Sequence, residues 1–401
     1  MKSADPELIR GGNRFRIIDV IRRHGPIARV EIVARTELSP ATVSAITGGL
    51  IEDGLVTALH LDGATGPSGR GRPRVMLALD AGILHVAGVK LSLRRISIAV
   101  ADFGGGAMHS LVLPVRLDRQ SPQTIADLIE DGVRQCVTDA RLTMRRISGV
   151  GIGVPGVIDA SRGVSHWSPV LGQGVVGFAE MVERRLGCPV LLENDANLAA
   201  LAENWFGRAQ DVSSFAVVTV EDTIGMGLFL DGRLHRGAHG IGAEFGHVKL
   251  DPDGLPCRCG QNGCLDTVAS GWGLSRLAST LQTDTKPANL DELAARIGRD
   301  PAVDALFDRA GDALGLALAN LLNVLNLPRV ILTGALLTAQ DRVAARIDAA
   351  LDRFMLPTLR EATELVRHDW GDEMWARGAA SLVLRRLYED TRGMPRSNGK
   401  E

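Results

Sequence analysis

Within 18 residues the chain carries one imidazole and three thiols: His247, Cys257, Cys259 and Cys264. Thiolate sulfur and neutral imidazole nitrogen are the donors that close a tetrahedron around structural zinc, leaving no open position for chemistry. Gly246, Gly260 and Gly263 let such a loop fold around an ion. The other two of the five cysteines, Cys136 and Cys188, stand alone. Two cysteines one residue apart in so polar a run have little core to fill, and in a reducing compartment the cluster reads as metal-binding rather than as disulfides. One Zn²⁺ per chain is expected, holding the loop and orienting His247.

A second constellation lies near the N-terminus. Ser39-Pro40 is a helix start signal, a serine N-cap followed by proline at the first helical position. The helix it opens places Val43, Ile46 and Leu50 inward and Thr42, Ser44 and Thr47 outward, and it ends at Gly54. Upstream, Arg14 to His24 has helical spacing and stops at Gly25-Pro26, and a short helix from Arg29 to Thr36 buries Val30 and Val33. Downstream, Leu55 to Ala58 and Arg74 to Leu79 flank the tip Gly69-Arg70-Gly71-Arg72-Pro73. Three helices and a two-stranded ribbon make a winged helix-turn-helix. Glycines beside Arg70 and Arg72 allow the backbone to approach a minor groove that the guanidinium groups enter. With no Lys or Arg on the third helix, base reading falls to Ser39, Thr42, Ser44 and Thr47, through hydroxyls and the thymine methyl. A small helical bundle also serves as a dimerisation module; the wing favours double-stranded DNA.

The rest of the chain must carry these two sites. At 401 residues, 45% hydrophobic and 23% charged, it suits two or three folded lobes. Residues 1 to 80 hold 11 Lys/Arg against 9 Asp/Glu and the remainder 34 against 38, too mild an asymmetry to indicate nucleic acid alone. The longest apolar stretch, Ala313 to Leu337, is broken by Asn320, Asn323, Asn326, Pro328 and Arg329 and reads as a core helix followed by a strand, not a membrane span. The start has Asp5 and Glu7 and no apolar run of a signal peptide, which places the protein in the cytoplasm, associated with the nucleoid. Val86 to Val115 and Phe215 to Arg236 share a strand–turn–strand pattern, so the body is expected to be a duplicated two-lobed α/β fold with a ligand cleft between the lobes.

Gly242-Ala243-Glu244-Phe245-Gly246-His247 followed by the cysteine cluster, Gly151 to Asp159, and Glu193-Asn194-Asp195-Ala196-Asn197 together resemble the ROK family of repressors, uncharacterised reading frames and sugar kinases. The resemblance extends over the helix-turn-helix, as in the repressor branch. It implies an actin-like, hexokinase-type body: residues 1–79 would bind DNA, residues 80–205 with a C-terminal helix at 374–391 would form the first lobe, and 206–373 the second. It implies a monosaccharide or derivative held by Asn194, Asp195, Glu244 and His247, with backbone from Gly153, Pro155 and Gly156. Asp266 stands where the family usually has glutamate, one methylene longer. It also implies a homodimer or homotetramer.

Against the family's kinases, the three phosphate loops are altered. Lys90-Leu91-Ser92-Leu93-Arg94 replaces the loop with the metal-associated aspartate, Glu221-Asp222-Thr223 replaces a glycine-rich turn, and Gly334-Ala335-Leu336 keeps one glycine of three. Two carboxylates facing a triphosphate would repel it, and phosphoryl transfer depends on neutralising that charge. The chain is therefore expected to be a sugar-responsive repressor and not an enzyme. The rival readings are a ROK sugar kinase and a repressor governed by a protein partner.

Overall fold

The computed structural model describes residues 6–60, 75–281, 290–334, 336, 340–368 and 371–390. The N-terminal unit comprises α1 (Pro6–His24), β1 (Ile27–Ala28), α2 (Arg29–Thr36), α3 (Pro40–Glu52), β2 (Val56–His60) and β3 (Val75–Leu79), with strand order β1-β3-β2. The Ser39 hydroxyl caps α3 by accepting the Thr42 N–H at 3.1 Å. In α2 the expected burial of Val30 does not occur: Val30 is 67% exposed, and Ile32 with Thr36, one turn apart, forms the inner face.

Two five-stranded sheets build the body. The first contains β4 (His85–Ser92), β5 (Arg95–Asp102), β6 (Ala107–Pro114), β7 (Ile147–Val154) and β11 (Val190–Asn194), in the order β11-β7-β4-β5-β6. Helix α4 (Pro122–Asp139) joins β6 to β7. After β7 come a small sheet of β8 (Val157–Asp159), β9 (Val164–Ser168) and β10 (Gly172–Val176), then α5 (Phe178–Leu186). Helix α6 (Asp195–Phe206) follows β11 directly.

The second sheet contains β12 (Phe215–Val220), β13 (Ile224–Leu230), β14 (Arg233–Leu234), β15 (Arg329–Thr333) and β16 (Glu364–Arg367), in the order β14-β13-β12-β15-β16. Its helices are α7 (Asp266–Ala269), α8 (Gly271–Leu281), α9 (Leu290–Ala294), α10 (Pro301–Leu325), α11 (Gln340–Phe354) and α12 (Pro357–Ala362). Each sheet is an antiparallel hairpin extended by two parallel strands, β4-β5 by β7 and β11, β12-β13 by β15 and β16. That shared pattern is the duplication expected of the body. Among the described residues no helix is long and apolar enough to cross a membrane.

The last helix, α13 (Asp372–Glu389), returns to the first sheet and packs on β4, β5, β7 and α6. It comes within backbone contact because glycine stands beneath it: a Cβ at Gly88 would collide with the Ala376 carbonyl, and one at Gly151 with the Ala379 carbonyl. The end of α13 enters a core shared with the N-terminal unit, in which Ile17, Ile18, Ile21, Leu55 and Leu77 pack with Phe103, Trp205, Leu384 and Tyr388. The Tyr388 hydroxyl donates to the Phe103 carbonyl at 2.6 Å.

Because the colliding atom at Gly88 is backbone and cannot rotate away, Gly88→Ala should destabilise the chain by about 3 kcal/mol or more. Urea unfolding followed by circular dichroism checks this, and a midpoint equal to the wild type would contradict the packing described.

Candidate functional site

Loops from both sheets converge on a cleft lined by Gly156, Val157, Trp167, Asn194 and Asp195 on one side. Facing them are residues 223–226, 242–244, His247, Arg258 and Asp266. Its volume of about 40 Å³ admits a few water molecules. A roomier groove of about 470 Å³ lies on the far side of the cysteine loop, between it and α10 and α11, but its lining is mainly apolar and carries none of the cleft's carboxylates.

Asn194 is the N-cap of α6. Its Oδ1 accepts the N–H groups of Ala196 at 2.9 Å and Asn197 at 3.3 Å, and its Nδ2 donates to the Gly156 carbonyl at 3.0 Å. The strand-to-helix turn thus points Asp195 into the cleft from the first residue of the helix. Burial pushes the Asp195 carboxyl up to about 6, with Glu221 adding to the shift and Lys90 opposing it. Crowding by the cleft walls, and then the charge of Asp195, pushes Glu244 up to about 7, although Glu244 stays open to solvent at the mouth, where water screens the effect. Asp266 is buried and accepts the Ile224 N–H at 2.9 Å, with Arg258 3.8 Å away.

Two sequence expectations need correction. Gly153 and Pro155 do not line the cleft; the lining begins at Gly156. Gly153 instead packs β7 on α6, where a Cβ would meet Leu198 at 2.5 Å. Sequence reasoning missed Trp167 and Arg258. Trp167 arrives on β9, part of the small sheet that no periodicity announced, and Arg258 was hidden between two cysteines.

On two of the loops that depart from the family's kinases, Lys90 is 1% exposed, and its Nζ lies 3.2 and 3.3 Å from the two Glu221 oxygens. The ammonium also sits 3.5 Å from the centre of the Trp375 ring. Asp222 accepts from Arg258 Nη1 at 3.0 Å. The two carboxylates expected to face a triphosphate as bare charge are therefore each bound by a cation. Of the third loop, Ala335 lies outside the described residues, and Gly334 has φ +106, with Val220 against the place of a Cβ.

His247, Cys257, Cys259 and Cys264 place their ligand atoms within 4.8 Å of one another, a set compatible with a metal ion. His247 Nδ1 is 3.7 Å from Cys257 Sγ, and Cys259 Sγ is 3.7 Å from Cys264 Sγ. Burial, ahead of its neighbours, pushes the Cys257 thiol up to about 12, so thiolates gathered here call for a cation. Lys249 Nζ, 2.8 Å from Cys264 Sγ, supplies part of that charge.

On the N-terminal unit, Ser39 and Ser44 are exposed and Thr42 is half-exposed, its hydroxyl 2.8 Å from Ser39 Oγ. Thr47 does not face outward. It is fully buried, donates to the Val43 carbonyl at 2.8 Å and accepts from Arg29 Nε at 2.9 Å, because it lies one turn after Val43 on the inner stripe. The outward face is instead Ala41, Ser44 and Ala45. Arg70 and Arg72 lie outside the described residues.

The model of the family described as "ROK family" matches residues 87–386. The N-acetylglucosamine repressor of Escherichia coli O157:H7 is 26% identical over 390 residues, covering 95% of this chain and 94% of its own. A solved ROK family transcriptional regulator, a homolog of the Escherichia coli MLC protein, is 25% identical with a TM-score of 0.79 over 95% of this chain and 97% of that one. A ROK hexokinase from Thermus thermophilus is 32% identical with a TM-score of 0.65 over 76% of this chain and 100% of that one. The regulator's likeness fits a winged helix-turn-helix joined to a two-lobed actin-like body, the hexokinase's likeness fits the body alone, and by the match over most of its length this chain belongs to the ROK family.

Proposed function

We propose that the chain is a sugar-responsive, DNA-binding transcriptional repressor that holds a monosaccharide between its lobes without phosphorylating it. Residues 1–79 read DNA as part of a homodimer or homotetramer; residues 80–205 with the C-terminal helix, and residues 206–373, are the lobes that close on the sugar. The observation that carries this reading is the contrast between the cleft and the loops beside it. Asn194, Asp195, Glu244 and His247 line the cleft together, while Lys90 and Glu221, on two of the loops that bind phosphate in the family's kinases, are paired with each other. A carboxylate accepts two hydroxyls and an amide both donates and accepts, as a polyol requires. Asp195, though suited to be a base, has no phosphoryl donor to work with. The likeness to a hexokinase makes a kinase the alternative, and it is the outcome that release of ADP would establish.

Zinc is the metal we assign to His247, Cys257, Cys259 and Cys264. It would hold the loop and, through His247, which also lines the cleft, one wall of the sugar site. Freshly purified protein should contain about one zinc per chain by elemental analysis, and Cys264→Ser should lose it together with sugar binding. Metal-free wild type that binds sugar normally would contradict this.

Calorimetry against hexoses, pentoses and N-acetylated amino sugars should find a ligand, and a coupled assay with ATP and Mg²⁺ should find no ADP released by it. Asp195→Asn should weaken that ligand by about tenfold to a hundredfold at pH 8, the loss of roughly 1.4 to 3 kcal/mol of hydrogen bonding to a charged group. Ionised Asp195, with Lys90, Glu221 and Glu244 around it, is the form that accepts hydroxyls, so wild-type affinity should rise with pH through about 6 and that of Asp195→Asn should lack this rise. The sign for stability is opposite. The folded carboxyl titrates above the unfolded one, so ionising it costs stability as pH rises from about 4 through 6, and Asp195→Asn escapes that loss. Full sugar affinity in Asp195→Asn at pH 8 would remove it from the site.

A further inference from the structure

Helix α6 joins the cleft to the N-terminal DNA-binding unit. At its C-terminal end, Arg22 from the last turn of α1 lays its guanidinium 4.4 Å from the centre of the Trp205 ring and donates to the Trp205 carbonyl at 3.3 Å. Arg23 donates to the carbonyls of Asn204 at 3.3 Å and Gln210 at 2.6 Å. Carbonyls in the last turn of a helix lack partners within it and form its negative pole, so guanidinium groups are both bonded and electrostatically favoured there. Asp19 pairs with both arginines at 2.8 Å from within α1, presetting them for this contact.

The other end of α6 is the cleft, where Asn194 caps the helix and Asp195 begins it. Along one flank β13 presses on it with no side chain between: a Cβ at Gly225 would come 2.7 Å from Ala196 Cβ, and one at Gly227 would strike the Ala196 carbonyl. The helix is about 18 Å long, and every residue from Ala196 to Glu203 is buried. A close-packed rod of this kind moves as a body, so a turn imposed at Asn194 and Asp195 is delivered at Trp205.

We propose that Arg22, with Arg23, is the positioning contact through which sugar in the cleft sets the attitude of the recognition helix α3. Two anchors hold α1. Toward its middle Gly11 lies against the Glu389 carbonyl and Arg14 Nε donates to the Asp390 carbonyl at 2.7 Å, both at the end of α13. Near its finish the arginines grip α6. A shift of the C-terminal end of α6 relative to the last residues of α13 therefore tilts α1 about that central anchor, and α3 follows because Ile17, Ile18 and Ile21 share one core with Val43 and Leu50.

This inference rests on the reading of the cleft as a sugar site. Its test compares wild type, Arg22→Ala and Arg22→Lys in two measurements: calorimetry with glucose, xylose and N-acetylglucosamine, and anisotropy on a duplex selected by the wild type from a random pool, with and without the sugar bound. Arg22→Ala should keep wild-type sugar affinity, while the sugar-induced shift in DNA affinity, about 5- to 150-fold in allosteric proteins generally, should fall to about twofold or less. Arg22→Lys, which keeps a cation over the ring but loses the fork, should retain part of the shift. A wild-type shift in Arg22→Ala and in the double variant with Arg23→Ala would overturn the proposal, as would an equal loss of sugar affinity, which would make the arginines supports of the fold alone. A wild type whose DNA affinity ignores a sugar it binds, or that binds none of the three, would overturn the reading of the cleft and this inference with it.

Discussion

The contact between α13 and the first sheet, made backbone to backbone over Gly88 and Gly151, is the constraint on which the other arrangements depend. Any side chain at those glycines would lift the helix. With it would go the flank of α6, which meets α13 where Gly378 lies against the Leu198 carbonyl. The end of α13 would also leave the core under α1, where Tyr388 packs 5.0 Å from Phe103 and 5.4 Å from Trp205. A helix supplied by the end of the chain thus joins the sheet of one lobe, the helix that starts at the cleft, and the first helix of the DNA-binding unit. Close packing of this kind has few intermediate positions, which suits a device that switches rather than bends.

Charge organises the cleft as packing organises the body. Arg258 ties the cysteine loop to the turn after β12, through Asp222, and to Asp266. From the opposite side Lys90 holds Glu221 of the same turn, and Arg236 pairs at 2.7 Å with Glu193, which is fully buried on β11. Pairs like these add little net stability, because each charge must first leave water, but breaking one leaves a buried charge without compensation. Their effect is specificity of arrangement: the turn that cradles phosphate in the family's kinases is held by the protein's own cations. The loop bearing the candidate metal set is therefore linked to the same turn that contacts the first lobe.

Features written in consecutive residues were legible in the sequence. The four residues of the candidate metal set fall within one loop, the Ser39 cap within one turn of helix, and the duplicated hairpins within short alternating runs. What escaped was set by tertiary geometry. Thr47 looked outward by residue type, yet one turn after Val43 it belongs to the inner stripe, where Arg29 from another helix satisfies it. Gly153 resembled a ligand-lining glycine and is a packing glycine. Trp167 reaches the cleft only because a three-stranded sheet is inserted after β7, and the partnership of Lys90 with Glu221 joins residues 131 positions apart. The two substitutions were visible one at a time as departures from a kinase; that they meet was not.

The central claim is that one molecule couples its cleft to its DNA-binding unit, and thermodynamic linkage tests it without reference to any single residue. The dissociation constant of the sugar should be measured with and without saturating DNA, and that of DNA with and without saturating sugar. The account predicts that the two constants change by the same factor, of about fivefold or more. A factor of one in both, with sugar and DNA each bound tightly, would contradict it.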